Sequence, residues 1–535
     1  MKRILTLVLA LVMLASVFAL GEGELMYDDG MTYATGFPIT KEPITLKVYV
    51  NDAGALRPNM DKSAVIDYIA EKTNITLDIT LLSDSDQVAM MFVSGDFPDF
   101  SMVIGATNQQ LADAAEANQI VELTPYIEEV CPTWEAFFDE YKLAYNSCLN
   151  ANDELYVLPF CNFAPYDRDL RDLFLVNNRW MTELGIETPT TIEEFTEYLR
   201  AVRDAAGTGT IPENVEPLHV YGDGNVGGYI DFFNFFGVRV ANAEFVIVND
   251  GVVEYVPLDP ACKEVLKWLQ SCYQEGLIKP ESFTDDWSMH AVKVASVDPT
   301  VGAYFAYGNV NPTIFKPVSP LNAENGTEPT IRRQTYTANP VNAFTMYSNN
   351  PYPYATMRLM EAIVDYSDPA FCENVTVGLE NSFWKYNEDG KIVEGYFDED
   401  GAYTLVQTEE VLGDIGFWNF FIGLRTPEWY EGPYFEMQNI VENTRAWAFT
   451  EFYKDYINDE STSYIGATLE SEKNVRMNEL WADIDTYRRT AFANWICGNG
   501  DIDAEWDAYI EHMNELHVDE WLELKQESYD LIMSK

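Results

Sequence analysis

The sequence predicts an α/β protein built as two lobes, and three observations carry that prediction. At 535 residues the chain outgrows one ordinary hydrophobic core, which makes two lobes the expectation. Short apolar runs of strand character alternate with amphipathic runs of helical period, beginning with residues 44–50, 63–72 and 75–82 in β-α-β order. Turn and capping residues stand at the ends of those runs: Gly95, Gly185 and Gly276 follow helical stretches, and Thr191 opens one.

Composition bounds the function. Lys and Arg number 33 against 87 Asp and Glu, a net charge of -54, so the surface repels phosphate backbones and anionic lipid headgroups. Nucleic-acid binding is excluded on that ground, and the acidity is read as keeping an exported, monomeric protein soluble. With 32 Tyr, 30 Phe and 12 Trp, the chain has large rings to pack or to offer a ligand. Lys2-Arg3 precede an apolar run from Ile4 to Leu20, followed by Gly21, so residues 1–21 are expected to be a secretory signal peptide and the mature protein to be secreted or held at the cell surface. No cysteine follows that run to carry a lipid, and no later segment is long and apolar enough to span a bilayer. The seven cysteines lack a C-x-x-C pair and the four histidines lack a metal or triad spacing. They are read as structural, with no metal, no cofactor and no catalytic residue expected.

Residues 44–50 (I-T-L-K-V-Y-V) alternate as a first strand and run into Asn51-Asp52. Loops at the carboxyl ends of strands in an open α/β sheet face the ligand, which makes Asn51 and Asp52 ligand candidates; a simple polar turn is the plain alternative. Residues 93–99 (V-S-G-D-F-P-D) end a helix at Gly95 and lead through Pro98 to a buried strand at 100–104, with Asp96 and Asp99 as scaffold. Residues 173–176 form a short buried strand, and Trp180, Met181 and Leu184 lie on a short helix closed by Gly185. Thr191 and Glu194 then make a capping box for a long helix that buries Ile192, Phe195, Leu199 and Val202. Gly222-Asp223-Gly224-Asn225-Val226-Gly227 formally matches G-x-G-x-x-G, yet an exported protein meets no dinucleotide supply. The segment reads instead as a glycine loop, with Asp223 and Asn225 as contact candidates.

Asn249-Asp250-Gly251 centres a hairpin, and Asp259-Pro260 starts a helix that buries Val265, Leu266, Leu269 and Trp268. Trp287, in a polar segment, is expected to be exposed for stacking. A Pro/Asn-rich stretch at 311–340 reads as a connection, a helix follows at 351–364, Asp389-Gly390 and Asp400-Gly401 are hairpin turns, and 441–534 is mostly helical by pattern.

Several of these stretches, in this order, resemble the extracellular solute-binding proteins of ABC importers, carbohydrate type (bacterial extracellular solute-binding family 1). The matching residues include the 93–99 turn, residues 120–127, and Asp153-Glu154-Leu155-Tyr156-Val157-Leu158-Pro159, where Glu154 stands for the usual Gly. They continue with Asn177, Leu184-Gly185-Ile186, Pro189-Thr190-Thr191-x-x-Glu194-Phe195 and Tyr273-x-Glu275-Gly276-Leu277-Ile278. Gly302-Ala-Tyr304-Phe-Ala-Tyr307-Gly308 and Gly378-x-Glu380-Asn381-x-x-Trp384 complete the set, with Asn381 in place of Gly.

The resemblance implies a two-lobe periplasmic-binding-protein-like fold of type II, each lobe a mixed sheet flanked by helices, with the ligand in a cleft at the hinge. Lobe 1 would hold residues 44–160 and about 336–385, lobe 2 residues 161–335 and about 386–535. Residues 163–171 would then stand at the mouth of the cleft, Tyr166 stacking on a sugar face and Arg168 donating to hydroxyls or a carboxylate. The plain reading of Arg168 is an ion pair with Asp167, Asp169 or Asp172. Tyr307 and Trp384 would line the cleft. In some relatives a calcium loop lies at the place of residues 204–218, but Asp204, Glu213 and Glu216 are too few and poorly spaced for that ion. The implied function is capture of a sugar or oligosaccharide and delivery to ABC permease subunits. A secreted glycoside hydrolase or a surface adhesin is the alternative; among 87 acidic residues some carboxylate pair is always at hand, so counting them decides nothing.

Overall fold

The computed structural model of the chain describes residues 27–52, 60–162, 169–221, 228–285, 287–331, 344–394, 396–397, 403–404, 413, 416, 423–426, 445–457 and 463–535. The chain divides into two compact units, Met1–Cys161 with Ala338–Met437, and Asn162–Thr337 with Gln438–Lys535. The expected return to the second lobe near residue 386 falls instead after Met437. The physical tie is buried: Arg425 pairs with Glu373 and Glu394 inside the first unit.

The first unit is built on strands β1 (Ile44–Asn51), β2 (Ile75–Leu82) and β3 (Phe100–Met102), joined by the returning strand Phe344–Met346. Sheet order is 344–346, β3, β1, β2; the first three numbered strands run parallel and the returning one is antiparallel to β3. Alternation in β1 places Ile44, Leu46, Val48 and Val50 in the core, each worth about 1.5–3 kcal/mol when fully buried. Helix α1 (Ala64–Thr73) starts where the Ser63 hydroxyl accepts from Val65 N–H, and covers the sheet with Val65 and Ile69. Helix α2 (Ser85–Ser94) is capped by Asp84 and closed by Gly95 at φ 71°, as its sequence predicts. Asp99 is scaffold as expected: its carboxylate accepts from the Lys47 N–H at 2.7 Å, and burial pushes its pKa up. The strand expected over 100–104 stops earlier because Val103 turns to φ 53°.

The second unit carries β4 (Leu173–Asn177), β5 (Glu216–Leu218), β6 (Val301–Ala306) and β7 (Phe315–Pro317) in the order β7-β4-β6-β5. β4 is antiparallel to both its neighbours, and β5 is parallel to β6, so this sheet is mixed as well. Every residue of β4 is buried. Asn177 ends the strand and caps helix α3 (Asn178–Leu184) through Trp180 N–H, and Gly185 closes it at φ 66°. Helix α4 (Ile192–Asp204) has the Thr191/Glu194 capping box and buries Ile192, Phe195, Leu199 and Val202. The 249–251 turn is a tight hairpin between Val246–Asn249 and Val252–Tyr255, with Asp250 and Gly251 both left-handed. Helix α5 (Cys262–Gln274) follows with Trp268 half-buried, its Nε1 donating to Thr196 Oγ1 at 3.0 Å. All seven cysteines are free thiols, and each is buried except the half-buried Cys497.

Candidate functional site

In the first unit the carboxyl ends of β1, β2 and β3 come to one edge. Asn51 lies opposite Leu82, and the Asp52 N–H donates to Leu82 O at 2.8 Å, so both predicted residues sit at the end of the sheet, Asn51 half-buried and Asp52 exposed. Parallel register pairs Val50 with Met102, which brings Val103 level with Asn51. A β-branched residue held in the left-handed region costs on the order of 1–3 kcal/mol, a strain that concentrates at ligand-contacting edges.

In the second unit Tyr307 follows β6 directly and is half-buried. Helix α6 (Trp287–Ala295) precedes that strand, and the short helix α7 (Arg445–Ala448) arrives from the end of the chain. The Arg445 guanidinium lies 4.0 Å from the Tyr307 ring centroid, and its Nη1 donates to Tyr307 O at 2.6 Å and to Arg171 O at 3.2 Å. Arg171 stands 5.6 Å from the same ring and donates to the buried Asp172 carboxylate at 2.8 Å. Cation–π attraction of about 0.5–2 kcal/mol therefore holds the ring of this half-buried residue. Neither Arg171 nor Arg445 was singled out from the sequence; 138 residues separate Arg445 from Tyr307, and no local pattern marks a long-range pair.

The remaining expected contacts fare differently. Tyr166, Arg168, Asp223 and Asn225 lie outside the described residues, as does the side chain of Trp287, whose backbone opens α6. Trp384 is a correction. Its ring is 0% exposed inside the first unit, with Nε1 donating to Asn374 Oδ1 at 3.2 Å, and a ligand does not reach it. Tyr386, packed edge-on against Trp384 at 5.2 Å, is the exposed ring of that strand.

One buried polar cluster in the second unit brings acids, a histidine and a serine together. Glu216, His219 and Asp285 present ligand atoms within 4.8 Å of one another, and Ser282 joins them. Both Ser282 Oγ, at 3.3 Å, and Glu216 Oε1, at 3.0 Å, crowd His219 Nδ1, while Nε2 has no partner among the described residues. A serine nucleophile needs the carboxylate on one imidazole nitrogen and the hydroxyl on the other, so this is no triad. The Lys293 ammonium bonds Glu216 Oε2 at 2.8 Å and also Asp285, which places a built-in cation between the carboxylates. Burial opposes ionisation of Glu216, but His219, Lys293 and Ser282 outweigh it and hold the carboxyl below its ordinary value. Burial likewise pushes His290, stacked on His219, down to about 3. Of the acids at residues 204–218, Asp204 is paired with Arg203 at 2.8 Å, and Glu216 belongs to this cluster.

Two α/β units, each with helices packed on a mixed sheet, define the fold class of two-lobe, type II substrate-binding proteins. No protein-family model matches the chain. The chain is 23% identical over 514 residues, 92% of its own length and 91% of the other's, to the fructooligosaccharide ABC transporter substrate-binding protein FusA of Streptococcus pneumoniae serotype 4. Among solved structures, S. pneumoniae FusA in complex with kestose matches at TM-score 0.75 and 20% identity over 92% of this chain and 100% of that one. An HMO-binding, ABC-transporter-associated solute-binding protein of Bifidobacterium longum infantis matches at 0.73 and 17% over 92% and 100%. The alginate-binding protein AlgQ2 without calcium ion matches at 0.67 and 18% over 92% and 99%. At these identities the likeness to the solved structures shows the fold. Among the described residues no helix is long and apolar enough to cross a membrane.

Proposed function

We propose that the chain is the extracellular solute-binding component of an ABC importer, taking up an oligosaccharide and handing it to a membrane permease unchanged. The observation that supports this most is the likeness to FusA along 92% of the chain in sequence and in fold alike. FusA is described as a fructooligosaccharide binder and was solved with kestose, so a neutral oligosaccharide of that kind is the ligand class favoured here. In this reading the first unit contributes Asn51 and Asp52 as hydroxyl partners. The second contributes Tyr307, pinned by Arg445, as a plate under a sugar ring. Tyr166, Arg168, Asp223, Asn225 and Trp287 are the further contacts. The protein acts outside the cytoplasm after loss of residues 1–21, as a monomer, without catalysis and without a metal or cofactor. Ligand binding favours the form that contacts it best, and the permease reads that form.

A thermal-shift screen of the purified chain tests this with fructooligosaccharides, milk oligosaccharides, alginate oligomers and a peptide control. One glycan class at a hundred times its Kd adds about 2.7 kcal/mol to the folded state, a rise of a few degrees in Tm. Reducing ends released from the glycan would establish the hydrolase instead, and an unmoved Tm across the whole panel would leave the binder reading without support.

A further inference from the structure

The buried cluster around Glu216 is not a triad, and it holds a pile of rings in place. A single carboxylate ties down two parts of the second unit. Glu216 Oε1 meets His219 Nδ1 at 3.0 Å just past β5, and Oε2 takes the Lys293 ammonium of α6 at 2.8 Å. His290 stands three residues before Lys293 on the same helix. The two imidazoles are thereby held against each other, with centroids 5.2 Å apart and planes 11° from parallel. Tyr304 of β6 meets His290 edge-on at 5.5 Å. The Tyr221 ring lies 4.7 Å from that of His290 and 6.2 Å from that of His219, tilted by 32° and 31°. His219, His290 and Tyr304 are buried, whereas Tyr221 is half-buried.

The place of Tyr221 in the sheet gives that pile a use. β5 runs parallel to β6 with Leu218 opposite Ala303, and the His219 N–H donates to Ala303 O at 2.9 Å. Tyr221 therefore leaves the sheet at the same carboxyl edge as Tyr307, from the neighbouring strand, and neighbouring strands lie about 4.8 Å apart. Asp223 and Asn225 follow it within four residues. Leucine would fill a core position at less cost than a buried imidazole, which has two ring nitrogens to satisfy. What His290 adds is a flat plane, fixed through α6 by Lys293, against which a second ring is held in one orientation. Burial pushes its pKa down to about 3, so that plane is uncharged at neutral pH, unlike the guanidinium groups against Tyr307.

We propose that Tyr221 is a second sugar-stacking plate at this edge and that His290 is its positioning residue. This role rests on the oligosaccharide reading of the same site. Its test is calorimetric titration of the full chain with kestose, a milk oligosaccharide and an alginate oligomer in turn, using whichever the parent binds. Tyr221→Ala is expected to weaken that binding about three- to tenfold, and Tyr221→Phe, which keeps the ring, less than about twofold. Should Tyr221→Ala fail to fold, Tyr221→Leu keeps the bulk without the flat face and should weaken binding to the same degree. His290→Phe should bind as the parent does, and His290→Ala about threefold more weakly; in a chain already carrying Tyr221→Leu, His290→Ala should cost nothing further. A parent that binds none of the three sugars overturns the oligosaccharide reading, and this role with it. A parent weakened by Tyr307→Ala but unmoved by Tyr221→Ala or Tyr221→Leu overturns the role of Tyr221 alone. Equal losses from Tyr221→Phe and Tyr221→Leu overturn stacking, and a loss from His290→Ala that persists without the Tyr221 ring overturns positioning.

Discussion

Each unit sets two carboxylates around one basic side chain, with Glu394 half-buried in the first unit and the other three carboxylates buried, and the two clusters settle differently. In the first unit Arg425 holds Glu373 at 3.1 Å and also Glu394, and burial together with the Glu394 charge pushes Glu373 up to about 8. In the second unit Lys293 holds Glu216 and Asp285, yet Glu216 stays below its ordinary value. The difference lies in the number of partners. Glu216 is also bonded by Ser282 and His219, whereas Glu373 is met by Arg425 and by the acid Glu394, whose side chain raises its pKa further. Burial raises a carboxyl pKa in both places, and only where several donors converge on the charged form is the sign reversed.

Removing the basic partner is the strongest way to break that contrast. Arg425→Met strands the buried Glu373 and the half-buried Glu394 and should cost about 3–5 kcal/mol in urea denaturation, more at pH 8 than at pH 5. Lys293→Met should cost less, about 2–3 kcal/mol, because Ser282 and His219 still serve Glu216. Equal losses would show that the extra donors contribute nothing.

Isosteric amides separate the two carboxylates through pH. The folded-state pKa of Glu373 is raised from 4.5 to about 8, so the stability it contributes is complete below 4.5 and is lost as pH rises towards 8. Glu373→Gln should remove that decline, leaving the variant more stable than the parent at pH 8 by an amount on the order of 1–3 kcal/mol. Glu216 has the opposite sign: its contribution is present above 4.5 and is lost as pH falls through the lowered folded value. Glu216→Gln should therefore flatten the acid limb and leave the alkaline limb alone. Melting curves between pH 3 and 9 would show whether the two variants act on opposite limbs.

A smaller effect is expected at the edge of the first sheet. Val103→Gly relieves the left-handed strain and should gain about 1 kcal/mol of stability. If the strained edge holds Asn51 and Asp52 for a ligand, the same change weakens oligosaccharide binding several-fold; stability gained with unchanged affinity would make Val103 purely structural.

Local chemistry was legible in the sequence wherever one residue type has one structural use. Gly95 and Gly185 close helices, Thr191 and Glu194 form their capping box, and Asp250-Gly251 turns its hairpin as expected. Alternation marked β1 correctly, since one face of it is packed. The candidate site was less legible, because its geometry depends on pairs far apart in the chain. Arg445 reaches Tyr307 across 138 residues and Arg425 reaches Glu373 across 52, and neither separation leaves a local pattern. Trp384 shows the same limit: an aromatic in a glycine-bounded motif reads as a ligand plate or as core, and only Asn374, ten residues earlier, meeting its indole N–H decides for core. Val103 was misread because hydrophobicity continues past the point where the backbone leaves the strand.

In the proposed function a glycan is bound and released intact. Calorimetric titration of the chain with kestose and longer fructooligosaccharides, followed by mass spectrometry of the recovered sugar, tests it most directly. Saturable binding near one ligand per chain, weakened about tenfold or more by Tyr307→Ala and with the sugar mass unchanged, is the predicted result. Shortened sugar after incubation, or affinity untouched by loss of Tyr307, Asn51 and Asp52 together, would contradict it.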